Sequence, residues 1–86
     1  MTRQEFLTLQ LAALDALERK ELCCGGTDLD GRCCAFSTLV RSSPPGADYY
    51  PFNNEVIREN DRVDYESPAA RFVRVRSWVA AQLGGE

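Results

Sequence analysis

Two stretches of helical periodicity, one near each end of the chain, limit the fold more than any other feature of the sequence. At the start, Thr2-Arg3-Gln4-Glu5 has the form of a capping box. In that arrangement the Thr2 hydroxyl accepts from the Glu5 amide while the Glu5 carboxylate reaches back to the Thr2 amide. Phe6, Leu7, Leu9, Ala13, Leu14 and Leu17 then fill a broad apolar arc, with Gln4, Thr8, Asp15 and Arg19 on the opposite side. Good helix formers continue until Gly25-Gly26, so a helix is expected from about Thr2 to Leu22. Near the other end, Ser67-Pro68 supplies an N-cap followed by a proline at the first helical position. Phe72, Val75, Val79 and Leu83 recur at helical spacing with Trp78 beside them, and Gly84-Gly85 closes a helix expected over Pro68–Leu83.

The middle of the chain is shorter in its elements. Gly25-Gly26, Thr27-Asp28 and Asp30-Gly31 are turn signals, which makes Cys23 to Arg32 a loop. Cys33–Val40 has β-branched residues compatible with a strand, but Ala35, Phe36, Leu39 and Val40 also make a helical face, and a helix is favoured. Pro44-Pro45-Gly46 excludes regular structure, and Asn53 or Asn54 is placed to cap a short helix carrying Val56 and Ile57 that ends near Asn60. The expected fold is mainly α: a small single-domain helical bundle over residues 1–86, with two long terminal helices and short helices and loops between. Its expected core is Phe6, Leu14, Leu17, Phe36, Leu39, Ile57, Phe72, Val75, Trp78 and Val79.

Charge and composition exclude several function classes. Histidine is absent, which removes imidazole bases and His-ligated metals. The formal net charge is −3, the wrong sign for a protein that neutralises phosphates, so no direct nucleic-acid binding is expected. No apolar run reaches the ~20 residues that span a bilayer, and no secretory signal is visible at Met1–Glu5, which points to no membrane and to a cytoplasmic location. The acids are unevenly spread: Glu55, Glu59, Asp61, Asp64 and Glu66 fall close together, and Arg71, Arg74 and Arg76 follow with no acid among them. Such a pattern is either two neighbouring faces that attract each other or an acidic patch that meets a basic partner.

The cysteines bracket the first loop as Cys23-Cys24 and Cys33-Cys34. A zinc site built on Cys23, Cys24, Cys33 and Cys34 is the alternative that such a set raises, but adjacent cysteines aim their side chains apart. The simpler reading is four small thiols, with no metal and no cofactor. Cys34 at a helix start would gain some thiolate character, yet the sequence offers no base to pair with it. Asp28-Leu29-Asp30-Gly31 does not fit a calcium loop, since the glycine comes too early and Leu39 stands where the last ligand is needed. No catalytic constellation emerges, and the chain is not expected to be an enzyme.

Partner-binding residues are sought instead on the two segments expected to protrude. Asp48, Tyr49 and Tyr50 lie on the proline-flanked loop, and Asp61, Asp64 and Glu66 form the densest acidic stretch, just before the capped helix. Tyrosines supply contact area at small entropy cost, unless they fold back to close the core. Acids set encounter rate with a basic surface. Reversing the charges of Asp61, Asp64 and Glu66 is expected to leave the fold intact.

Gly31-Arg32-Cys33-Cys34-Ala35-Phe36-Ser37-Thr38-Leu39, followed by Glu59-Asn60-Asp61, resembles a family of small uncharacterised bacterial and phage proteins. Members carry Gly-x-x-Cys-Ala-Leu-Gly-Ala-Leu, then Asn-Asp, then a closing helix. On this likeness, which spans Leu9 to Leu83, Cys34 matches the family cysteine and Asn60-Asp61 the Asn-Asp pair. Phe36, Ser37 and Thr38 depart from the pattern, and Leu22-Cys23 stands near the place of a tryptophan often found before the loop. The resemblance implies a helix over Cys34–Arg41 and a phage or mobile-element setting. By analogy of size and acidity with phage inhibitors such as anti-CRISPR proteins, the expected partner is a host protein or ribonucleoprotein complex with a basic surface, met in the host cytoplasm. The alternative from another class is a cysteine-based zinc-binding or redox-sensing module.

Overall fold

The computed structural model describes residues 1–25 and 31–84. Four helices form along the chain: α1 (Arg3–Asp15), α2 (Ala35–Arg41), α3 (Phe52–Asp61) and α4 (Pro68–Gly84). No strand occurs among the described residues. The expected turn signal Thr27-Asp28 lies outside them, as do Gly26 and Asp30 of the other two and Gly85 of the helix stop.

The local signals at both ends act as the sequence implies. Thr2 Oγ1 accepts from the Glu5 amide at 3.1 Å and the Glu5 carboxylate accepts from the Thr2 amide at 2.8 Å, completing the capping box. Ser67 Oγ accepts the Ala70 amide at 3.1 Å, and Pro68 opens α4. Within the run Cys33–Val40 the helix α2 begins at Ala35, while Cys34 is its extended N-cap and Cys33 pairs with Cys23 through the backbone.

The first helix corrects the expected Thr2–Leu22 boundary, because it ends at Asp15. Helix propensity is a weak preference there, and tertiary bonds override it. Lys20 Nζ donates to the Asp15 carbonyl at 2.6 Å, closing the helix end. The Leu22 amide then donates to Pro68 O and the Cys23 amide to Cys33 O, each at 3.0 Å, and Leu22 is fully buried. A helix continued past Asp15 would have to forgo both inter-segment bonds. Gly25 and Gly31 have φ values of 76° and 81°, where L side chains are strained.

The helices pack in a ring, α1 on α4 and α2, α3 on α2 and α4, so the two long helices meet directly. The radius of gyration, 11.9 Å, equals the ~12 Å expected for a compact chain of this length. Phe6, Leu14, Leu39, Phe72, Val75 and Val79 are buried as the pattern implies, with Leu17, Phe36 and Trp78 half-buried against them. Ile57, also expected in the core, is only half-buried, and the neighbouring Val56 is fully buried in its stead. Leu7, Leu22, Ala35 and Tyr49 join the core as well. Phe6 is its aromatic centre, with ring centroids 5.7 Å from Tyr49, 6.0 Å from Phe52 and 6.5 Å from Phe36. No helix among the described residues is long and apolar enough to cross a membrane.

Because the Ser67 hydroxyl satisfies one of the orphan amides of α4, Ser67→Ala is expected to cost about 1 kcal/mol. A lower urea midpoint at unchanged slope checks this.

Candidate functional site

The densest polar constellation is centred on Asn60, in the last turn of α3 and fully buried. Its Oδ1 accepts the Ala35 amide at 3.0 Å, supplying the cap that the Cys34 side chain does not give α2. Its Nδ2 donates to Cys23 O at 2.9 Å and to Asp61 Oδ1 at 2.8 Å. Asp61 Oδ1 also accepts the Gly25 amide at 3.1 Å. Burial pushes the Asp61 carboxyl up, but the bonds from Asn60, Gly25 and Cys24 outweigh it and hold the group below its ordinary value. The Cys34-Ala35 and Asn60-Asp61 segments, far apart in sequence, thus meet through one amide.

Arginines complete the cluster. Arg71, only 2% exposed, donates to Asn60 O and lies 3.7 Å from Glu66. Arg74 bonds Glu66 at 2.9 and 3.0 Å, Glu59 Oε2 at 2.6 Å, and the carbonyls of Glu59 and Asn60. Arg62 pairs with Glu59, and on the far side of α4 Arg76 pairs with Asp15. The acid-rich stretch and the arginines of α4 are therefore mutually attracting faces, the plainer of the two readings of that charge pattern.

The cysteines are four free thiols, with Cys24 exposed and the others buried. Cys23 Sγ donates to Arg32 O at 3.3 Å, Cys33 Sγ faces Gly31 O at 3.9 Å, and Cys34 Sγ bonds Ser37 Oγ at 3.2 Å. Among the described residues no three Cys, Asp or Glu side chains are grouped so as to hold a metal ion. Desolvation and the Asp61 carboxylate beside it push the Cys24 thiol up, away from the thiolate that nucleophilic chemistry needs.

The residues singled out as partner contacts fall in two separate places. Asp48, Tyr49 and Tyr50 precede α3, while Asp61, Asp64 and Glu66 follow or end it, so the length of that helix, about 15 Å, separates them. Tyr49 is a core residue: 7% exposed, its hydroxyl 2.6 Å from Ser43 Oγ. Tyr50 is 71% exposed, its amide held by Asp48 Oδ1 at 3.0 Å. Asp61 and Glu66 spend their carboxylates inside the cluster, whereas Asp64 is exposed and forms no ion pair among the described residues. Reversing all three acids would therefore disturb the fold, against the expectation from sequence. The residue the sequence reading passed over is Tyr65, 99% exposed between Asp64 and Glu66. The available signal was an aromatic in a short polar stretch with Val63 as its only apolar neighbour.

No family model, no curated protein and no solved structure matches the chain.

Asn60→Ala leaves the Ala35 amide and the Cys23 carbonyl without their partner, and a loss on the order of 3 kcal/mol is expected in chemical denaturation. The acid side is also readable. The Arg74 hydrogen bond holds the Glu66 carboxyl below its ordinary 4.5. Its contribution is complete above that value and is lost as pH falls through the lower folded-state value. The urea midpoint should therefore fall on acidification below about pH 4.5, and Glu66→Gln should lower the midpoint at neutral pH while making that fall shallower.

Proposed function

We propose that this protein is a non-enzymatic binding protein that docks on a larger partner through the α3–α4 turn, with Tyr65 as anchor and Asp64 as its steering charge. The observation that carries the reading is the mounting of Tyr65. Its side chain is almost wholly in water, yet the chain is anchored before and after the turn. Asn60, Asp61 and Arg74 secure the turn on one side, and the Glu66 ion pair with the Ser67 cap secures it on the other. A turn anchored in this way loses little further backbone freedom on binding, which leaves only the ring of Tyr65 to be ordered.

The partner class that suits it is a host protein or ribonucleoprotein complex with a basic surface, and an inhibitor of a phage-defence complex is the fitting role. The net charge of −3 still favours such an encounter at long range, although most nearby acids are paired within the chain. Asp48 and Tyr50 form a secondary contact at the other end of α3. Enzymatic chemistry has less support, because the chain has no histidine and its exposed thiol is disfavoured as a thiolate.

Tyr65→Ala should speed dissociation of the captured partner ~10-fold or more without moving the melting temperature, and Asp64→Lys should slow association and weaken its salt dependence. Tyr49→Ala should instead lower the melting temperature, since it empties part of the aromatic core. Capture from bacterial lysate followed by binding kinetics with each purified variant reads all three. Unchanged kinetics for Tyr65→Ala would remove the turn from consideration.

A further inference from the structure

A cavity of about 370 Å³ opens between the segment that leaves α1 and the outer side of α2, away from the α3–α4 turn. Ala13, Ala16 and Leu17 give it an apolar side, and Arg19, Arg32 and Arg41 converge on it. One wall is pre-set: Glu21 Oε1 accepts from Arg19 at 2.7 Å and from Arg32 at 3.0 Å, so a single carboxylate fixes two guanidinium groups. The Arg32 side chain is only 19% exposed, which places its charge where water screens it weakly. Arg41 comes from the opposite wall, in the last turn of α2, and has no carboxylate partner among the described residues. Glu18 and Glu21 also line the cavity, so its three arginines face two carboxylates and leave one net positive charge, in a chain whose net charge is −3. The volume falls in the range of small-molecule sites, ~300–1,000 Å³.

We propose that this cavity binds a small organic oxyanion, a phosphate or carboxylate head on a compact apolar body, with Arg41 and Arg32 on the head and Ala16 and Leu17 against the body. Guanidinium groups match both heads through paired N–H donors, and the apolar side distinguishes such a ligand from a bare ion. This inference stands apart from the docking surface at Tyr65 and does not depend on it.

The test uses the intact protein and three probes: phenyl phosphate, benzoate and inorganic phosphate, each against chloride at matched ionic strength. Phenyl phosphate or benzoate should bind saturably, with Kd of ~1 mM or tighter, raise the melting temperature, and shift the amide resonances of Ala16, Thr38 and Ser42. Which of the two binds better identifies the head group. Arg41→Gln should weaken binding ~10-fold or more. Ala16→Leu, at an exposed position that fills the cavity, should abolish it with the fold retained. Arg58→Gln, an exposed arginine of α3 that does not line the cavity, should change nothing. The proposal fails if neither aromatic probe saturates, if inorganic phosphate binds as well as phenyl phosphate, or if Arg58→Gln weakens binding as much as Arg41→Gln.

Discussion

A primary amide removed from water must find partners for two N–H groups and a carbonyl oxygen, and each bond left unmade costs ~1–3 kcal/mol. Asn60 meets that demand with three different parts of the chain: the start of α2, the segment after α1, and its own neighbour Asp61. The dependence runs in both directions. A helix of seven residues such as α2 is too short to persist alone. Much of its fixed position comes from the amide that receives its first N–H, together with Gln10 Nε2, which donates to the Ala35 carbonyl from α1 at 2.8 Å. Two buried side-chain amides thus grip one residue, Ala35, from opposite helices.

The second tier of the frame is ionic. A buried guanidinium such as that of Arg71 is costly to desolvate, and its pairing with a carbonyl and a carboxylate offsets that cost more than it adds net stability. What the arrangement supplies is geometry. Arg71 and Arg74 face Asn60, Glu59 and Glu66 from successive turns of α4, so α4 has one register against α3 that satisfies these groups. The acids that look, in sequence, like a patch offered to a partner are largely turned inward to serve this register. Local charge density in a sequence is therefore a poor guide to exposed charge when arginines at helical spacing follow it.

What was legible in the sequence was what local chemistry decides. The capping box at Thr2-Glu5, the Ser67-Pro68 start of α4 and the apolar faces of α1 and α4 each depend on residues within a few positions of one another, and each is realised, save that in α1 Leu9 is 42% exposed while Gln10 is buried. What escaped depends on contacts distant in sequence. Residues 16–22 have good helix propensity, but bonds to Pro68 and the burial of Leu22 decide their path. Tyr49 and Tyr50 are adjacent and chemically identical, yet one is in the core against Phe6 and the other in water. In sequence Asn60 marks a helix end and a motif position, and nothing beside it announces the three segments its amide joins.

Single exposed apolar side chains are ordinary on small proteins, so exposure alone gives Tyr65 no meaning. The contrast with Met1, Val40 and Val73, all at least half exposed, lies in the support beneath it. Tyr65 stands on a turn whose two sides are held by a buried amide and by charge-assisted bonds between α3 and α4. Ordering the side chain on binding still costs ~0.5–1.5 kcal/mol, but a turn anchored at both ends adds little backbone cost to it. The polar network that sets the fold and the presentation of the one almost fully exposed aromatic among the described residues are thus a single device. On the proposal that Tyr65 is a docking anchor, loosening Arg74 should blunt binding there even though its side chain is engaged with Glu59, Glu66 and the Asn60 carbonyl.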